Sequence, residues 1–209
     1  MVLFKCPERE RYNVLTHGIG FLVALAVFVT YCIATYRDDT TALGCMIFGA
    51  AQVIIYVTSV CYHAATGLMK RRFHVLDHVA IYVLIATTHT ATMLSLPSVE
   101  IQPRMIGVIW TVAGLGSVLK LRFTGQFEAV SVTLYLLIGW VGAFVIGLAN
   151  LLEPTFDVQL MMAGGACYTI GVIFYIIDRG RWCHAFWHVF VVIASSLHSI
   201  ALYIGGTSD

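Results

Sequence analysis

Residues 42–64 read ALGCMIFGAAQVIIYVTSVCYHA, an unbroken stretch without Asp, Glu, Lys or Arg. At a helical rise of 1.5 Å per residue such a stretch spans the hydrocarbon core of a bilayer, about 30 Å thick. A barrel strand would show about ten residues of alternating hydrophobicity instead. Working outward from it in both directions, apolar runs recur between short charged or turn-rich breaks, giving spans near 17–36, 42–64, 76–96, 104–120, 129–149, 158–177 and 184–204. The fold expected is all-α, a polytopic membrane protein with a seven-transmembrane-helix bundle. Residues 1–209 are expected to form a single domain, because the spans and their loops leave no room for a soluble unit.

Composition agrees. Of 209 residues, 59% are hydrophobic and 11% charged, whereas soluble domains carry about a quarter charged residues. The polar start and the lack of a small-residue cleavage signal predict a retained first helix. Six cysteines, Cys6, Cys32, Cys45, Cys61, Cys167 and Cys183, show no CxxC spacing and suggest no disulfide framework. A net charge of +1 gives no reason to expect nucleic-acid binding. The distribution of charge is more informative. Lys5, Arg9, Arg11, Lys70, Arg71, Arg72, Lys120, Arg122, Arg179 and Arg181 fall on the side of the N-terminus, against Arg37 and Arg104 on the other. The positive-inside rule then puts the N-terminus in the cytoplasm and the C-terminus outside. Gly139, Gly142, Ala143, Ala163, Gly164 and Gly165 are expected to let helices approach closely.

Ionisable residues in membrane spans are costly and point to function. His63 ends the second span, Asp77 and His78 open the third, and His184 and His188 open the seventh, all near the cytoplasmic end of this topology. His184 and His188, four apart, share one helix face and can offer two imidazoles to one metal. His63 can supply a third nitrogen, leaving the fourth position open for water, an arrangement that suits Zn2+. Asp77 can hold that water or accept its proton, and Ser59, one turn before His63, can orient the imidazole or the water. The bland reading is that these histidines hydrogen-bond to neighbouring helices or lie at the interface. His198 lies about 21 Å from His184 at helical rise and cannot share its metal. It is expected to hydrogen-bond within the bundle or line a cavity. His89 is expected to satisfy inter-helix contacts, His74 to lie in a loop, His78 to join helices, and Glu128 to form an interfacial ion pair.

Asn13-Val14-Leu15-Thr16-His17-Gly18, Ser59-x3-His63, Asp77-His78-Val79-Ala80-Ile81-Tyr82 and His184-x3-His188 with His198 beyond resemble the hemolysin III family, related to the adiponectin and progestin receptor-like proteins. The resemblance covers nearly the whole chain and departs at Thr88-His89-Thr90-Ala91, where many relatives have a Thr-Tyr-Thr-Pro-like stretch. It implies seven helices, an intracellular zinc held by His63, His184 and His188, Asp77 and Ser59 as water-binding residues around it, and hydrolysis of lipid amides such as ceramides.

Three functions follow as expectations. In the first, a zinc-dependent hydrolase in the plasma or inner membrane acts on a lipid-like substrate held between apolar helix walls. In the second, a receptor or regulator uses a structural zinc with four closed ligands. In the third, a pore-forming cytolysin or transporter needs a continuous polar path, whereas the polar residues concentrate at one end.

Overall fold

A computed structural model of the chain describes residues 4, 6–36, 38–95, 102–150, 155–177 and 182–207, with the side chains of 102 and 143–150 outside the description. After a 3-10 turn at Glu8–Glu10 come seven helices: α1 (Arg11–Ile33), α2 (Asp39–Ala64), α3 (Gly67–Ser95), α4 (Gln102–Phe123), α5 (Glu128–Asn150), α6 (Phe156–Ile177) and α7 (Cys183–Thr207). Among the described residues no strand forms, and the one bridge joins Phe4 to Ala65. Lys5, Arg37, Arg179 and Arg181, used in the charge count, lie outside the described residues, as does the side chain of Ala143.

Five helices are long and apolar enough to cross a bilayer on their own, those beginning at Glu8, Asp39, Pro103, Phe156 and Cys183. The 29-residue α3 is long enough but more polar, because Lys70, Arg71, Arg72, His74, Asp77 and His78 extend its first turns. The helix therefore starts well ahead of the apolar run at 76. His74, expected in a loop, instead lies inside α3 with its ring stacked on Tyr62 of α2 at 4.7 Å. The Lys-Arg-Arg run reads as a break in hydropathy, but Lys and Arg are good helix formers and need only water at that end. Asp38 caps α2, accepting from the backbone N–H of Thr41 at 2.7 Å.

The surface is inverted relative to a soluble protein. Leu22, Ile33, Leu115, Leu121 and Ile176 are all more than 60% exposed, while Gln52, Ser59, His63, Lys120, His188 and Ser195 are at most 2% exposed. A hydrocarbon solvent accounts for both sets at once. The described helices thus form a polytopic membrane bundle.

Consecutive helices pack in sequence and α7 returns against α1, closing the ring, with α2 and α3 also touching α7. On α2, Gln52, Tyr56, Ser59 and His63 recur at spacings of four, three and four and so form one face. That face meets α7. Gln52 Nε2 donates to the Ser195 carbonyl and the Ser199 hydroxyl, both at 2.9 Å, and Tyr56 Oη lies 2.6 Å from Ser195 Oγ. From α1, Tyr31 donates to the Ser199 carbonyl at 2.8 Å. In a bilayer such bonds fix the register of helices that share equally apolar surfaces. They hold the end of α2 at a fixed height against the start of α7. α3 runs unbroken through Thr88-His89-Thr90-Ala91, and Thr87, Thr88, Thr90 and Thr92 donate their hydroxyls to carbonyls one turn back at 2.7–2.9 Å. Those hydroxyl protons are used inside the helix.

Candidate metal centre

The register of α2 buries His63, 2% exposed, beside the start of α1. Its Nδ1 lies 2.7 Å from Glu10 Oε2. A carboxylate only accepts, so Nδ1 carries the proton and Nε2 presents a lone pair. That Nε2 is buried and has no hydrogen-bond partner. Glu10 is itself fixed by Asn13 Nδ2, which donates to Oε2 at 2.8 Å, and by Lys70 Nζ, which donates to Oε1 at 2.8 Å.

The first turns of α7 bring His184 and His188 to the same place. Ring centroids are 5.1 Å apart for His63–His184, 4.9 Å for His63–His188 and 4.7 Å for His184–His188. One ring nitrogen from each lies within 4.8 Å of the other two. His188 Nδ1 is 3.3 Å from the Asn13 carbonyl, to which it can only donate, so its Nε2 is also unprotonated. Thr16 Oγ1 lies 3.2 Å from the same Nδ1. Two of the three imidazoles thus have one nitrogen tied to an oxygen partner and the other free to bind, as in metal sites built from histidine. The orphaned Nε2 of His63 and the neutral donor set fit a metal ion. Three imidazoles suit zinc, and also copper, iron or nickel.

Ser59 is 1% exposed, and its hydroxyl lies 2.6 Å from His17 Nδ1 on α1. Its contact is with the imidazole of His17, where the sequence had suggested that of His63. It also faces the carboxylate of Asp77, which reaches this point from α3. Asp77 Oδ2 is 4.0 Å from His78 Nδ1. The His17 ring stacks on His188, with centroids 3.5 Å apart and planes at 13°, and its Nε2 is buried without a partner. His17, Ser59, Asp77, His184 and His188 line one end of a cavity of about 620 Å³ between α3, α5, α6 and α7. Its other end reaches Ser95, Asp157 and Gly205. Most of the wall between is apolar, including Ile81, Leu84, Val132, Leu136, Val172 and Val191.

The remaining polar residues stand apart. His198 Nε2 donates to the Met161 carbonyl at 3.1 Å, and His89 Nε2 to the Ile138 carbonyl at 3.0 Å. Glu128 accepts from Lys120 Nζ at 3.0 Å through both oxygens and lies 3.5 Å from His78 Nε2. Glu10, Asn13 and His17 were not singled out as site residues from the sequence. Their spacing of three and four puts them on one helix face, and that periodicity in the polar start of α1 was the available signal.

The comparisons with known proteins point the same way. A family model described as haemolysin-III related matches residues 6–199. The chain is 32% identical over 194 residues to a hemolysin-3 homolog of Bacillus subtilis (strain 168), covering 90% of each chain. It is 28% identical to hemolysin-3 of Bacillus cereus, covering 91% of this chain and 88% of that one. Against the human monocyte to macrophage differentiation factor the identity is 26%, covering 95% of this chain and 89% of the other. By its helical bundle, its histidine cluster and this end-to-end match, the chain belongs to the haemolysin-III related family of membrane proteins.

Proposed function

We propose that His63, His184 and His188 hold Zn2+ and that the protein is a membrane hydrolase of lipid amides of the ceramide type. The observation that carries this is the cluster of His63, His184 and His188, two of which, His184 and His188, line the end of a long, mostly apolar cavity whose wall also offers Ser59 and Asp77. Bound zinc would supply a Lewis acid that makes water nucleophilic near neutral pH and polarises an amide carbonyl. Asp77 is the general base that takes the proton of the attacking water and returns it to the leaving amine. Ser59, between His17 and Asp77, orients the water and the carboxylate. The apolar wall binds the acyl chain and keeps bulk water from the carboxylate. In this reading residues 1–209 are one seven-helix domain in the plasma or inner membrane, and the positive-inside bias sets the metal near its cytoplasmic face.

The test is hydrolysis of a short-chain fluorescent ceramide by zinc-loaded protein in detergent. Asp77→Asn is expected to keep zinc and lose turnover; full turnover in that variant removes Asp77 as base. A second reading, a receptor or regulator with structural zinc, would take its fourth ligand from His17, whose buried, unpaired Nε2 lies beside His188 but outside the set of nitrogens that converge within 4.8 Å. It predicts that His17→Ala lowers zinc content and that the parent hydrolyses no amide.

A further inference from the structure

Far from the histidine cluster, two other histidines are built alike. His198 of α7 gives its Nε2 proton to the Met161 carbonyl of α6, and His89 of α3 gives its Nε2 proton to the Ile138 carbonyl of α5. A carbonyl oxygen only accepts, so both rings are fixed in the tautomer that leaves Nδ1 as an acceptor. Each ring is seated against a glycine of the neighbouring helix, where a Cβ would overlap the imidazole: His198 by its Cδ2–Nε2 edge against Gly164, leaving Nδ1 on the far edge, and His89 by its Nδ1–Cε1 edge against Gly142, which covers its Nδ1. Both line the cavity. His198 is 7% exposed, and its Nδ1 is buried with no hydrogen-bond partner. An unpaired acceptor in an apolar wall is costly to leave unmet, and calls for a donor from the cavity's occupant.

We propose that His198 binds a hydroxyl carried part-way along the hydrocarbon chain of a lipid whose polar head lies at the histidine cluster. Ten residues separate His188 from His198 on one helix, about 15 Å at helical rise. A methylene advances an extended chain by about 1.25 Å, from C–C bonds near 1.5 Å at tetrahedral angles, so the hydroxyl falls near carbon 12. A buried acceptor discriminates for a donor at that position and against a plain chain, which leaves the nitrogen unpaired. This rests on the lipid reading of the cavity, and is independent of whether the bound lipid is hydrolysed.

The experiment uses zinc-loaded protein in detergent and the tryptophan fluorescence of Trp140 and Trp187, both of which line the cavity. Three probes are titrated: octadecanoate, 12-hydroxyoctadecanoate and 2-hydroxyoctadecanoate, each corrected for partitioning into protein-free micelles. The parent is expected to bind the 12-hydroxy chain roughly three- to tenfold more tightly than the plain chain, the worth of one hydrogen bond. His198→Leu should erase that preference while leaving octadecanoate within about twofold, and His198→Gln, which retains an acceptor, should keep part of it. Any preference for the 2-hydroxy chain should be unmoved by either. Equal binding of 12-hydroxy and plain chains by the parent overturns the proposal, and so does a preference that survives undiminished in His198→Leu. Binding of neither chain overturns it together with the lipid reading of the cavity. Absent ceramide hydrolysis with an intact 12-hydroxy preference removes only the hydrolase.

Discussion

Glu10 offers the sharpest test of how the metal centre is held. Its carboxylate accepts from His63 Nδ1 at 2.7 Å while Asn13 and Lys70 fix it from two other directions, each at 2.8 Å. Replacing it by Ala removes the acceptor that sets the His63 tautomer and leaves Nδ1–H without its carboxylate. Carboxylate partners of metal-bound histidines are worth about 10–100-fold in metal affinity, or about 1.4–2.7 kcal/mol at 1.4 kcal/mol per tenfold. The Glu10 side chain is 22% exposed, so water competes for the site and the lower half of that range applies. We expect a loss of about 10–30-fold for Glu10→Ala and a smaller loss for Glu10→Gln, whose amide oxygen still accepts. The assay is competition for zinc against a chromophoric chelator at fixed pH, with Lys70→Gln as the control for the lost ion pair. Lys70 is 31% exposed, and its pair with Glu10 should matter by at most about 1 kcal/mol. A well-folded Glu10→Ala protein that keeps zinc within threefold of the parent would refute the argument, since His63 would then need no partner to present Nε2.

Three other outcomes follow from contacts already described. Elemental analysis of the parent should find close to one zinc per chain, as the proposed site requires, and His63→Ala and His188→Ala should each lose it, whereas His198→Ala should retain it. Gly116 lies against the Tyr82 ring so closely that a Cβ would overlap it. Gly116→Ala should therefore lower stability by about 1–3 kcal/mol, read as a reduced melting temperature in detergent. Lys120, 2% exposed, is paired with Glu128. Removing one partner of a fully buried pair costs about 3–5 kcal/mol, and the 34% exposure of Glu128 reduces this, so Lys120→Met should destabilise by about 2–3 kcal/mol while Lys120→Met/Glu128→Gln recovers most of it.

The membrane bundle was legible from sequence because hydrocarbon imposes one demand on every span, and apolar length records it directly. α3 shows the limit. Its first two turns are charged and project beyond the apolar run, so hydropathy marks where lipid begins and not where the helix begins, and His74 is misplaced as a result. The three clustered histidines stood out because they interrupt apolar runs and two of them share a face at i, i+4. Glu10, Asn13 and His17 did not, because polar residues before a first span look like any solvated leader. Their spacing puts them on one helix face, but what that face meets, α2 and α7 at once, is a tertiary fact that pattern along the chain does not carry. The pairing of His89 with Gly142 and of His198 with Gly164 was hidden for the same reason, although small residues on α5 and α6 had been marked for close packing.

The ladder that joins α2 to α7 also constrains how the molecule is made. Gln52 and Ser199, Tyr56 and Ser195, and His63 and His188 are partners separated by most of the chain, and α7 is translated after the six other described helices. Until it arrives, the inner face of α2 offers an amide, a phenol, a hydroxyl and an imidazole to lipid or to transient partners. The three clustered histidines thus come together only once α7 has been translated and inserted. A protein truncated before α7 would lack two of the three histidines and expose the polar face of α2, giving membrane quality control a clear signature of an unfinished product.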